Sequence, residues 1–170
     1  SLCIGVLFRF YKRGERGGEE KGRLNFQAQR LTAAFTNCVK NSFLSTLNIC
    51  AFVVFFTMVI RMFAVSGALP ALAEGLSALL SPLGMTEQWG ERLLTGVLEI
   101  SSGVWSLAGD GSLSGRLSMA AFMLGWAGIS VHCQVLSFLG DSGLSVRTYL
   151  AGKMLHGGLS ALFVGALVRV

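Results

Sequence analysis

Leu31, Phe35, Cys38, Val39 and Phe43 recur at i, i+4, i+7, i+8 and i+12, a helical stripe that predicts an amphipathic segment at an interface or against an interior. Between Lys40 and Arg61 the chain then runs for 20 residues without a charge, about 30 Å of helix and therefore one bilayer crossing. Leu69, Leu72, Leu76, Leu79 and Leu80 form a shorter stripe, opened by Pro70 and closed by Ser81-Pro82-Leu83-Gly84. A third stripe of Trp89, Leu93, Leu94, Val97 and Leu98 starts at Thr86, whose hydroxyl suits a helix cap. Neither short stripe can cross a bilayer alone.

The rest of the chain is apolar but interrupted. Arg116 and Asp141 enclose 24 residues with no formal charge, broken up by Gly125, Gly128, Ser130, His132 and Gln134. A last span is expected over residues 146–170, with Lys153 and His156 one turn apart near its start and Arg169 near its end. Hydrocarbon cannot satisfy freed backbone groups, so irregular chain at membrane depth persists only inside protein or beside a polar cavity. Two stretches have that character: Gly96 to Gly109, around Glu99, and Gly125 to Gly140, around His132. Paired interrupted helices are a mark of midplane sites in secondary transporters.

Upstream, residues 1–8 read as the last two turns of a transmembrane helix, so the chain is expected to be the carboxyl-terminal portion of a longer polypeptide. Residues 9–30 follow as a basic, glycine-rich loop, which the excess of Lys and Arg places on the cytoplasmic side.

Composition sharpens this picture. Apolar residues are 52% of the 170 and charged ones 14%, with mean hydropathy +0.62, too few charges to cover a soluble domain of this size. The net charge of +5 is concentrated: residues 9–30 hold seven Lys and Arg against Glu15, Glu19 and Glu20, a sum of +4, which leaves +1 elsewhere. No basic stripe is interleaved with aromatics, which argues against a nucleic-acid partner. The four cysteines show no CxxC spacing, and no disulfide framework is expected.

Glu99 is the costly residue, because a carboxylate at a helix centre in a bilayer carries a penalty of about 2.5 to 3.5 kcal/mol by insertion scales. A ligand or proton-coupling role is the favoured reading. The competing one is a structural carboxylate at a helix end, hydrogen-bonded and out of lipid. His132 and Gln134 flank Cys133, either as ligands or as interhelical hydrogen-bonding groups. Lys153 reads as a snorkelling side chain.

Three short motifs carry no function here. Gly140-Asp141-Ser142-Gly143 looks like the nucleophile loop of trypsin-like proteases without the rest of a triad. His132, Cys133 and His156 lack metal-site spacing. GDGSLSG lacks the context of a phosphate loop. No enzyme, metal or cofactor is implied.

Gly96-Val97-Leu98-Glu99 with Gly103, the run Gly128-Ile129-Ser130-Val131-His132-Cys133-Gln134-Val135, and Lys153-Met154-Leu155-His156-Gly157 together resemble the YlbJ-type sporulation integral membrane proteins, whose domains are described as nucleoside recognition or Gate domains. The resemblance covers residues 32–170. It implies an all-α polytopic membrane protein with interrupted transmembrane helices, residues 31–170 forming a Gate-type domain that is one half of an inverted-repeat, transporter-like architecture. It further implies carriage of dipicolinic acid, a small aromatic dicarboxylate, across the outer forespore membrane. The substrate-binding residues it suggests are Glu99, Ser101, Ser102 and Gly103 on one broken helix, with Gly128, Ser130, His132 and Gln134 on the other. Gly152-Lys153 departs from the alanine-arginine pair expected in relatives, so Lys153 stays outside the transferred site.

The expected partners are the bilayer, an anionic solute, a coupling ion, the first half of the same transporter and a second copy in a homo-oligomer. Glu99 would repel a dianion unless it is protonated, holds a cation, or binds a helix end away from the solute. A non-transporting scaffold of spore assembly and a carrier of a nucleoside-like solute are the alternatives. A transporter needs a polar cavity that meets Glu99 and His132, whereas a scaffold packs those groups shut.

Overall fold

Apolar side chains without a glycine or proline among them extend one helix from Leu31 to Val65, here α1, 35 residues that include both the amphipathic stripe and the first span. The expected division between the two is absent, since no residue near Lys40 breaks the ladder. A computed structural model of the chain describes residues 31–139 and 145–168. The expectations for residues 1–30 and for the Gly140–Gly143 motif lie outside the described residues.

By internal contacts the chain divides after Asn48. In the first unit, the described part of α1 is exposed along its length, Phe35, Val39 and Phe43 included. The second unit runs from Ile49 onward and contains every element that follows. Ala68–Leu80 is α2, ended by a 3-10 turn at Ser81–Leu83, and Glu87–Leu98 is α3. The Thr86 hydroxyl caps α3 by accepting from the Trp89 amide at 3.5 Å. Ile100–Ser106 is α4, Leu113–Trp126 is α5, Gly128–Leu139 is α6 and Val146–Val168 is α7. No strand occurs among the described residues, and the fold is all-α.

Three stretches are long and apolar enough to cross a membrane: Thr32–Val65, Leu113–Leu136 and Val146–Val168. They match the three expected spans. The second is a composite, α5 and α6 in series, because the chain breaks at Ala127 and Gly128, whose φ angles are +80° and +78°.

The most extensive helix pair is α5 with α7, and it is a glycine seam. A Cβ on Gly125 would stand 2.7 Å from the Gly157 Cα, one on Gly157 would stand 3.0 Å from the Phe122 carbonyl oxygen, and one on Gly165 would stand 3.0 Å from the Ser118 hydroxyl. Low numbers on α5 meet high numbers on α7, so the two run antiparallel. Backbones this close are the usual means of helix association where lipid removes the hydrophobic drive.

Around them, α2 packs on α3, and α3 touches α4, α5 and α6. The turn from Gly109 to Ser112 is strapped down by two guanidinium groups. Arg92 of α3 donates to the Asp110 carbonyl at 2.9 Å while lying 5.0 Å from the Trp89 ring centre, and Arg116 of α5 donates to the Gly109 carbonyl at 2.8 Å. Both cations thereby serve as backbone ties.

Candidate functional site: two helix breaks in contact

In an unbroken helix the amides of Ser101 and Ser102 would bond the carbonyls of Val97 and Leu98. Glu99 takes them instead. Its backbone is extended, with φ −144° and ψ 119°, and its carboxylate accepts from the Ser101 amide at 2.9 Å and from the Ser102 amide at 2.6 Å. Its own N–H still closes α3 on the Thr95 carbonyl, and its C=O opens α4 by accepting from Gly103. One residue therefore ends one helix and caps the next, and it is wholly buried. Of the three placements left open for Glu99, this geometry is that of a carboxylate bound to a helix end.

Capping diverts the Ser101 amide, and the carbonyl of Val97 finds another donor. The indole N–H of Trp126, the last residue of α5, reaches it at 3.3 Å. The second break follows at once, at Ala127 and Gly128, and lies against the first. A Cβ on Gly128 would stand 3.1 Å from the Ile100 nitrogen, 3.4 Å from the Gly96 oxygen and 3.5 Å from the Glu99 Cα. A side chain here would crowd these backbones, and the left-handed φ of Gly128 also favours glycine. Gly103 is constrained likewise, because its Cβ would overlap the Gly96 backbone, and Gly96 in turn faces the buried Met123 side chain.

The structure thus brings Glu99, Ser101, Ser102, Gly103 and Gly128 to one crossing. It does not place Ser130, His132 and Gln134 inside an interruption. The second break is confined to two residues, and those three follow on the regular helix α6. The Ser130 hydroxyl is buried without a partner, and the Gln134 amide donates to the Ser130 carbonyl at 3.2 Å. His132, 3% exposed, shares a 3.0 Å hydrogen bond between Nδ1 and the Tyr149 hydroxyl, and its Nε2 is buried without a partner. Its ring meets that of Trp126 edge to face, with centres 4.4 Å apart. Trp126 therefore touches both the Val97 carbonyl at the first break and the imidazole beyond the second.

Glu99 and His132 are packed shut. Next to the first break, however, an open groove of about 610 Å³ lies among α1 from Thr57 onward, α2, α3 and α4, and Ser101 and Ser102 line it. The Ser102 hydroxyl lies 3.4 Å from that of Thr57. Thr57, Arg61, Thr95 and Trp105 also line the groove, and sequence reasoning passed over all four. Thr95 and Trp105 are each four residues or fewer from a residue it did select; Arg61 had served only to mark the end of a span. Lys153 and His156 on α7 make no hydrogen bond among the described residues.

No family model matches the chain, and no solved structure matches it. Among curated proteins, the sporulation integral membrane protein YlbJ of Bacillus subtilis (strain 168) is 26% identical over 129 residues. Those residues are 75% of this chain and 32% of the relative, so the chain spans about a third of the length of the protein it matches. The multiple apolar helices, the buried helix breaks and this similarity to an integral membrane protein agree, and the chain is a membrane protein with a YlbJ-type relationship.

Proposed function

We propose that the chain is part of an integral membrane transporter acting in sporulation, that it carries no enzymatic activity, and that its solute is dipicolinic acid crossing the outer forespore membrane. One observation carries the transport reading: two helix breaks, remote in sequence, meet backbone to backbone at Gly128 and Ile100. Discontinuous helices in contact are the arrangement on which secondary carriers build a midplane site. The sporulation setting is supported by the relative's name, and the dicarboxylate by the family resemblance.

In this reading Glu99 shapes the crossing through the α4 amides, and its charge is offset there by two hydrogen bonds, which lessens its repulsion of an anion. Ser101 and Ser102 present hydroxyls to the groove. Ser130, His132 and Gln134 supply further polar groups on α6. The remaining carrier half, the bilayer, a coupling ion and a second copy are the partners proposed.

The test is dipicolinate content in spores that depend on this protein. Glu99→Gln and Gln134→Ala should abolish accumulation at wild-type abundance in the membrane, and normal content in both would remove the assigned site. A second reading, a scaffold of spore assembly, is favoured by the closed packing of Glu99 and His132. It predicts misassembled spores from a variant whose dipicolinate uptake into vesicles was never present.

A further inference from the structure

We propose that the groove beside the first break binds a planar aromatic carboxylate, with Arg61 as its charge partner. Arg61 is the single ionisable side chain in the groove lining. It makes no hydrogen bond or ion pair among the described residues, so its guanidinium presents a free fork that matches a carboxylate. The Thr95 hydroxyl is uncommitted and the Thr57 hydroxyl makes one long contact of 3.4 Å to that of Ser102, while the Ser101 and Ser102 hydroxyls also face the Glu99 carboxylate. Trp105, 82% exposed, adds an aromatic surface against which a ring can lie. The neighbouring carboxylate, Glu99, is wholly buried on the α4 amides and does not line the groove. A space of about 610 Å³ falls in the range of small-molecule sites. The groove thus offers one cation, several donors and a ring, without an opposing anion.

This assignment deepens the transport reading and rests on it for its physiological meaning, but the binding itself is separately measurable. The experiment is equilibrium dialysis of radiolabelled pyridine-2,6-dicarboxylate against the purified full chain in neutral detergent, with pyridine and inorganic phosphate as competitors. Saturable binding that pyridine and phosphate fail to displace is expected. Arg61→Gln should raise Kd at least tenfold, Arg61→Lys by less, and Ser101→Ala a few fold, with thermal midpoints unchanged.

Wild-type affinity in both Arg61 variants, or displacement by phosphate as effective as by the dicarboxylate, would overturn the inference; the latter marks Arg61 as a headgroup contact. Absence of wild-type binding overturns it too, and the spore assay still judges transport. Lost binding in Arg61→Gln together with normal spore dipicolinate overturns the groove's part in transport, which the Glu99 and Gln134 variants judge separately.

Discussion

Gly128 and Ile100 meet without a side chain between them, at a point where a methyl group on Gly128 would stand 3.1 Å from the Ile100 amide nitrogen. Gly128→Ala therefore combines a left-handed backbone, which costs a residue with a Cβ about 1–2 kcal/mol, with a close contact that the facing backbone must yield to accept. A fall of that size or more in unfolding free energy, measured in detergent, is expected. An unchanged midpoint would show that the two breaks are not locked together.

Removing the Glu99 carboxylate leaves two buried amides without an acceptor. Glu99→Ala should cost about 1.5–3 kcal/mol, the range for losing a hydrogen bond to a charged group. Glu99→Gln keeps one acceptor oxygen and should cost less. Amide hydrogen exchange provides the local check, since Ser101 and Ser102 should lose protection before the rest of α4.

Gly96 and Gly103 distinguish a yielding neighbour from a rigid one. A Cβ on Gly96 meets the end of the Met123 side chain at 2.5 Å, while one on Gly103 meets the Gly96 backbone. Gly96→Ala should destabilise the protein, and Met123→Ala in the same molecule should recover part of the loss, with a coupling of about 1–3 kcal/mol. Gly103→Ala should gain nothing comparable from Met123→Ala. Equal rescue of both would contradict the packing described.

Tyr149 holds His132 through a single hydrogen bond at Nδ1, and Nε2 has no partner. Tyr149→Phe leaves both imidazole nitrogens buried and unpaired, at a cost of about 1–3 kcal/mol. The same substitution in a His132→Phe background should cost little. A double-mutant cycle on thermal stability reads the difference.

Much of this architecture was legible in the order of residues. Two of the three spans follow from charge-free length and the third from an apolar run that keeps Lys153 near its start, and the break at Glu99 follows from a carboxylate set in an apolar run, because burial of such a group demands a local partner. The extent of the second break was not. Ser130, His132 and Gln134 look disruptive by polarity, yet α6 carries them without distortion, since side-chain hydrogen bonds leave the backbone ladder intact. What breaks the chain is the pair Ala127 and Gly128, and a non-glycine residue with φ +80° carries no signal of its own. Arg61 and Thr57 escaped notice for another reason: they join Ser101 and Ser102 only through tertiary packing.

The glycine seam between α5 and α7 makes those two helices a fixed post. Interlocked main chains cannot slide past each other by exchanging rotamers, as ridged side-chain surfaces can, so the post transmits displacement without absorbing it. Any reorientation of α6 against that post must turn at the swivel of Ala127 and Gly128, and the same swivel carries Trp126 at its foot. A turn at one break would therefore bear on the Val97 carbonyl at the other, like a lever working across a common fulcrum.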